Sequence, residues 1–246
     1  MNDLKELLRI PDFRRLWSAQ AISYFGDSLT LFGLLFLVQR LTGNAASVAG
    51  ILIAMSLPML VVGLGAGVWV DRLNRVRVMI WSDIVRALLV PLFLFVRSAD
   101  QVWMIYIVAF LIASVSSFFA PARTALIPKI VGMDKLMAAN SISESSRVLF
   151  GVLGTATAGI LVGLFDGFTV VFTVDALTFV ISAILVGRLS DSGRSESAVQ
   201  AGEKVSALRE FTAGMRVIRR SRLLMGMLVG VGITMFGLGA VNAVLV

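Results

Sequence analysis

Apolar residues run along this chain in long blocks separated by short polar punctuation. The blocks occupy positions 17–38, 47–70, 78–96, 102–119, 138–165 and 167–189, and a seventh covers 223–246. A bilayer core takes about 20 apolar residues as a helix, so each block is close to a full span. Backbone in lipid must satisfy its own hydrogen bonds, which makes helices the expected form. The period-two alternation of a membrane barrel is absent. The expected fold class is therefore all-α and polytopic. A six-helix transmembrane bundle is expected over 1–189 and a polar linker over 190–222. A seventh transmembrane helix is expected over 223–246. Within the linker, Val205, Leu208, Phe211, Met215 and Ile218 recur at three- and four-residue steps. That spacing suits a short amphipathic helix on the membrane surface or a plain solvated helix.

Composition sharpens this picture. Of the 246 residues 58% are hydrophobic and only 15% charged, against about a quarter charged in an ordinary soluble domain. Lipid has to cover what charge cannot. The chain has no Cys and no His, which removes disulfides, thiolate and imidazole metal sites, cysteine nucleophiles and histidine bases. No motif supports an all-carboxylate metal site or a Ser-Lys hydrolase, and no Gly-Lys-Ser or Gly-Lys-Thr nucleotide loop is present. No enzyme activity, metal or cofactor is expected. The start, MNDLKELLRIPDFRRLW, carries mixed charge without a small-residue cleavage site, so a cleaved signal peptide is not expected. A net charge of +7 raises nucleic acid as a partner. Its distribution argues against that. Of the Lys and Arg at block ends and between blocks, 18 fall before block one, between two and three, between four and five, or from the end of six onward, and only Arg40 and Arg97 fall on the other side. This is the positive-inside pattern, with the N-terminus expected in the cytoplasm. The lipid bilayer is the expected partner, and nucleic acid is not.

Charge inside the blocks marks candidate function. Gln20, Ser23, Asp27 and Thr30 form a polar stripe on helix one, flanked by Tyr24. Asp27 sits about 15 Å into its span, near the midplane. An ionisable residue at that depth is a functional candidate, the alternative being a structural carboxylate satisfied by hydroxyls or an arginine. Asp175 in helix six is near mid-depth too, and a polar contact to neighbouring threonines is the plainer reading there. A charge knot, GLGAGVWVDRLNRVRVMIW, joins blocks two and three. Gly63 and Gly67 share a helix face on which another backbone could approach. Asp83 and Arg86 stand one turn apart in helix three, as do Glu144 and Arg147 in helix five. Asp71, Arg72, Arg75, Asp83, Arg86, Arg123, Glu144 and Arg147 are thus expected at one membrane face. They read as a gate whose charges pair and part, or as a static scaffold network.

The segment GVWVDRLNRVR resembles the loop between helices two and three of the major facilitator superfamily. Its pattern is met by Gly67, Asp71, Arg72 and Arg75. Asn74 stands in place of a second Gly, where a residue tolerant of a left-handed turn is expected. The segment FFAPARTALIPKIVGMDKLMAANSISESSRVLFGVLG and the opening FRRLWSAQAISYFGDSLTLFGLLFLVQRLTG resemble the bacterial efflux branch, the macrolide-efflux-like and enterobactin-exporter-like members. Thr155 follows Gly154 where antiporters of the superfamily often carry Gly-Pro. The resemblance implies secondary export of small, amphipathic molecules such as drugs or siderophores, coupled to protons, in a bacterial cytoplasmic (inner) membrane. It also implies a twelve-helix fold in two halves, with helices one and four lining the path; Ser114 and Ser117 on helix four are then candidates, or small packing residues. A lipid or lysolipid transporter of the same fold and a non-transporting receptor or assembly subunit are the rival readings. One six-helix half cannot enclose a central path. A missing C-terminal half, or a second copy, is the expected partner.

Overall fold

The chain separates into two units, residues 1–200 and 201–246. The computed structural model describes residues 2–71, 73–165 and 167–190 of the first, and Ser221, Met225, Gly226 and Gly230 of the second. The linker helix and the seventh span expected from the sequence lie outside the described residues, apart from those four positions. Arg72 and the side chain of Asp71 lie outside them too.

The described part of the first unit is helical throughout. A short amphipathic helix, α1 (Asn2–Arg9), precedes α2 (Pro11–Thr42), α3 (Ala45–Val61), α4 (Gly63–Asp71) and α5 (Arg75–Leu89). A 3-10 segment, Val90–Phe95, extends α5, and α6 (Val102–Val131), α7 (Leu136–Phe165) and α8 (Phe168–Gly187) follow. Five of these stretches are long and apolar enough to cross a membrane. Many large apolar side chains face outward, including Trp69, Trp81, Leu88, Phe95 and Leu164. An apolar exterior of this extent suits lipid rather than water.

Local chemistry sets the turns. Gly43 closes α2 in the left-handed conformation (φ 61°), its N–H reaching the Gln39 carbonyl at 2.8 Å. Asn44 then opens α3, its Oδ1 accepting from the Ala46 N–H at 2.9 Å. Two residues suffice because glycine has no Cβ to clash there and asparagine supplies the cap. Asn74 departs from expectation. Its backbone is extended (φ −69°, ψ 113°), and its side chain accepts from the Arg77 N–H at 3.0 Å. It is the N-cap of α5 and not a left-handed turn residue.

Three further expectations change. The second block is not one helix. Pro58 lies within α3, and Val62 divides α3 from α4 at a distorted turn that keeps its helical hydrogen bonds, with the glycine-rich run following. Proline removes a backbone donor, and glycine lowers helix propensity just beyond it. Helix four does not end near Phe119; α6 continues to Val131 through Pro121 and Pro128. Arg123 and Lys129 therefore sit on a helix and not in a loop. Finally, Gly63 and Gly67 do not host a close approach among the described residues. A Cβ at Gly67 would meet open space, and one at Gly63 only Met59 of the preceding turn.

The close approaches occur where α2 packs along α7 and α8. A Cβ at Gly154 would collide with the Phe25 carbonyl oxygen, one at Gly26 with the Asp175 and Thr178 side chains, and one at Gly33 with Val171 at 2.7 Å. Lipid tails are as apolar as leucine, so fit between small residues matters more here than burial of apolar area. Apolar clusters fill both ends of the bundle. One gathers Leu34, Ile51, Phe93 and Phe172, with the Phe93 and Phe172 rings 5.3 Å apart. The other gathers Phe13, Leu16, Met79 and Leu126. The polar side chains described next lie between them.

Candidate functional site

The stripe on α2 supplies the first wall. Gln20, Ser23 and Thr30 are buried, and the Asp27 side chain keeps 43% of its surface exposed. Asp27, Gln20, Ser23 and Tyr24 line a cavity of about 310 Å3. The α6 wall is Ser116, Phe119, Ala120 and Arg123, at helical steps of three, one and three. Ser116 went unrecognised in the sequence, where Ser114 and Ser117 were the candidates. All three hydroxyls donate to carbonyls of their own helix, those of Phe110, Ile112 and Ala113, and of the three Ser116 lines this cavity. A second cavity of about 670 Å3 opens between α2 and α7 and shares Tyr24, Asp27 and Arg147 with the first. Its remaining wall is largely apolar, with Phe32, Val148 and Val152.

Arg86 enters from α5 and is almost fully buried. Its guanidinium pairs with Asp83 one turn earlier and lies 3.8 Å from Asp27 Oδ1. Its Cζ lies 4.2 Å from the Phe179 ring centroid and 5.1 Å from that of Phe119. Asp83 is completely buried, and its second oxygen accepts from Ser182 Oγ at 2.7 Å. A paired, hydrogen-bonded and ring-stacked arginine is the form in which burial of charge is tolerated. Ser182 and Phe179, both on α8, gave no sequence signal, because an isolated Ser or Phe in an apolar block is ordinary.

Arg123 is handled differently. Its Nη1 donates to Gln20 Oε1 at 3.3 Å and to Tyr24 Oη at 2.5 Å. Both partners are neutral, and Nε is buried without an acceptor among the described residues. Arg147 grips Glu144 through Nε, 3.0 Å from each carboxylate oxygen, and through Nη2. Arg75 reaches the Ala125 carbonyl at 3.4 Å. Trp17 Nε1 donates to Ser146 Oγ at 2.8 Å, tying α2 to α7.

Asp175 lies behind the α2 wall. It is buried, and its Oδ1 accepts from Thr178 Oγ1 at 3.1 Å. Its Oδ2 and the hydroxyls of Ser23 and Thr30 have no hydrogen-bond partner among the described residues. The structure thus brings Asp27, Gln20 and Ser23 together with Arg86, Arg123 and Arg147 around one cavity. The sequence had assigned those two sets to separate places, a midplane path and a membrane-face gate. Gly67 and Arg75 stand away from this cavity.

Helices of membrane-crossing length around a cavity lined by a carboxylate and three arginines define a polytopic membrane protein. The family model for the Major Facilitator Superfamily matches residues 16–245, and the chain belongs to that family. It is a transporter-family protein and not an enzyme. It is 26% identical over 238 residues to macrolide efflux protein A of Streptococcus pyogenes, which covers 94% of this chain and 57% of that protein. It is 27% identical over 211 residues to the uncharacterized MFS-type transporter YfiS of Bacillus subtilis, covering 85% of this chain and 50% of that protein. The putative bacilysin exporter BacE of Bacillus subtilis is 25% identical over 210 residues, covering 85% and 51%. The chain spans about half the length of the curated relatives it matches.

Proposed function

We propose that this chain is the N-terminal half of an exporter of small amphipathic molecules, working by alternating access and coupled to protons. The observation that carries the reading is Asp27, a half-exposed carboxylate on the wall of a cavity, 3.8 Å from a buried arginine. A carboxylate so placed exchanges a proton with the cavity while the Arg86–Asp83 ion pair stays in place beside it. Drugs, macrolides or siderophores are the substrate types in view; the similarity to a macrolide efflux protein and a putative bacilysin exporter supports export in general. The basic end of the bundle, where the N-terminus lies, faces the cytoplasm of a bacterium, following the positive-inside bias.

In this reading residues 1–189 form the six-helix bundle, 190–222 the cytoplasmic linker and 223–246 the first helix of a second half. That half, or a second copy, closes the other side of the cavity. Gln20, Ser23, Asp27, Thr30, Ser116 and Asp175 belong to the substrate and proton path. Asp71, Arg72 and Arg75 work at the cytoplasmic gate with Glu144 and Arg147.

The test places the chain, joined to whatever coding sequence follows it, in inverted membrane vesicles and measures erythromycin or ethidium uptake driven by an imposed pH gradient. Asp27→Asn is expected to abolish the driven uptake while membrane insertion stays normal. Full driven uptake by Asp27→Asn would remove Asp27 as proton carrier. Movement of a fluorescent lysolipid, with neither drug transported, would replace drug export with lipid transport.

A further inference from the structure

The three arginines of the cavity are not equally compensated. Arg86 is balanced by Asp83, and Arg147 by Glu144. Arg123 has no carboxylate within ion-pair reach among the described residues; its partners are the Gln20 amide and the Tyr24 hydroxyl. Its Nε is buried with no acceptor among those residues. Glu144 on α7 is near enough to feel its field, but both of that residue's oxygens are held by Arg147. A cation in a partly buried, low-dielectric wall with only neutral partners is unfavourable unless an anion joins it. The positive-inside bias accounts for a basic residue near this membrane face, but not for a guanidinium turned into the cavity wall.

We propose that Arg123 is the anchor of an anion subsite, which takes the carboxylate of an amphipathic substrate. The planar fork of a guanidinium matches a carboxylate's two oxygens. The Ser23 hydroxyl on the facing α2 wall, buried without a partner among the described residues, adds a short-range donor. The adjoining larger cavity, lined by Phe32, Val148 and Val152, receives the apolar body. The two cavities meet at Tyr24, Asp27 and Arg147, so one molecule reaches from anchor to apolar wall. Asp27 stands on the same lining and disfavours a second negative charge, which selects molecules with a single anionic end. The subsite rests on the reading of this cavity as a substrate path.

The experiment is equilibrium binding to the full chain in lipid nanodiscs, with dansylglycine as the carboxylate probe and dansylglycinamide as its neutral counterpart. The wild type is expected to bind the acid at least about tenfold more tightly than the amide, the ratio that a charge-assisted contact of about 1.4 kcal/mol or more gives. Arg123→Gln should abolish that preference, Arg123→Lys, which keeps the charge but not the fork, should retain only part of it, and Arg77→Gln, outside the cavity, should leave it intact. Equal affinity for acid and amide in the wild type would overturn the proposal. So would a preference that survives Arg123→Gln, or no binding of the acid to a protein with native circular dichroism. Binding preference without pH-driven export would keep the subsite and remove the export reading. Export without the preference would do the reverse.

Discussion

The α5 and α6 walls of the cavity treat the same guanidinium group in opposite ways. Arg86 is sunk between Phe179 and Phe119, paired with Asp83, which is itself held by Ser182. Arg123 stands on the adjacent wall with an amide and a phenol for company. One arrangement is closed on itself and has little left to offer a visitor. The other leaves its charge uncompensated. A fixed charge and an available charge on neighbouring helices are complementary parts of a site that must keep its shape while its contents change.

The largest expected effect breaks the closed side. Arg86→Ala leaves Asp83 buried without its cation and should cost about 3–5 kcal/mol, read as a fall in thermal unfolding temperature in detergent. The double variant Arg86→Met, Asp83→Leu should recover most of that loss, since removing both charges ends the penalty. A double variant no more stable than the single would show that Arg86 does not act through Asp83.

Next comes the backing of the stripe. Gly26→Ala drives a methyl into the Asp175 and Thr178 side chains and should cost about 1–3 kcal/mol by overpacking. An unfolding temperature equal to wild type would mean that α2 and α8 pack less closely than described.

The open side predicts a smaller effect of the other sign. Arg123→Gln should be neutral, or stabilising by up to about 1 kcal/mol, because a buried N–H without an acceptor disappears with it. A loss as large as that of Arg86→Ala would erase the contrast between the walls.

The smallest effect is at the surface. Lys135, between α6 and α7, donates to Glu6 of α1, and this bond raises the Lys135 pKa above its ordinary value. A raised folded-state value adds stability that is fully present below about pH 10.4, the unfolded lysine value. The contribution is lost as pH rises through the higher folded value. Lys135→Gln should therefore flatten the alkaline limb of an unfolding-temperature profile and leave neutral pH nearly unchanged. An alkaline limb identical to wild type would discard the contact.

Much of this was legible in the sequence. Apolar blocks located the helices because lipid imposes a length on each. The stripe through Gln20, Ser23, Asp27 and Thr30 was visible because four polar residues at helical spacing in an apolar block have few explanations. Partners across helices were not legible. Arg86 and Asp83 read as a pair, but their approach to Asp27 and to Ser182 depends on how α2, α5 and α8 cross. Arg123 read as a loop charge because basic residues cluster at helix ends, and only its place on α6 turned it toward the cavity. Close packing was expected at Gly63 and Gly67 and occurs at Gly26 and Gly154, since a glycine's neighbours are set by the partner helix.

The account turns on a cavity that opens at Asp27 and stays shut at Asp83 and Asp175. The chain has no native cysteine, so single replacements report cleanly. In the purified protein in nanodiscs, Asp27→Cys should react rapidly with a charged methanethiosulfonate reagent. Asp83→Cys and Asp175→Cys should react only after denaturation. Equal labelling of all three variants, or an Asp27→Cys variant that stays unreactive, would contradict the account.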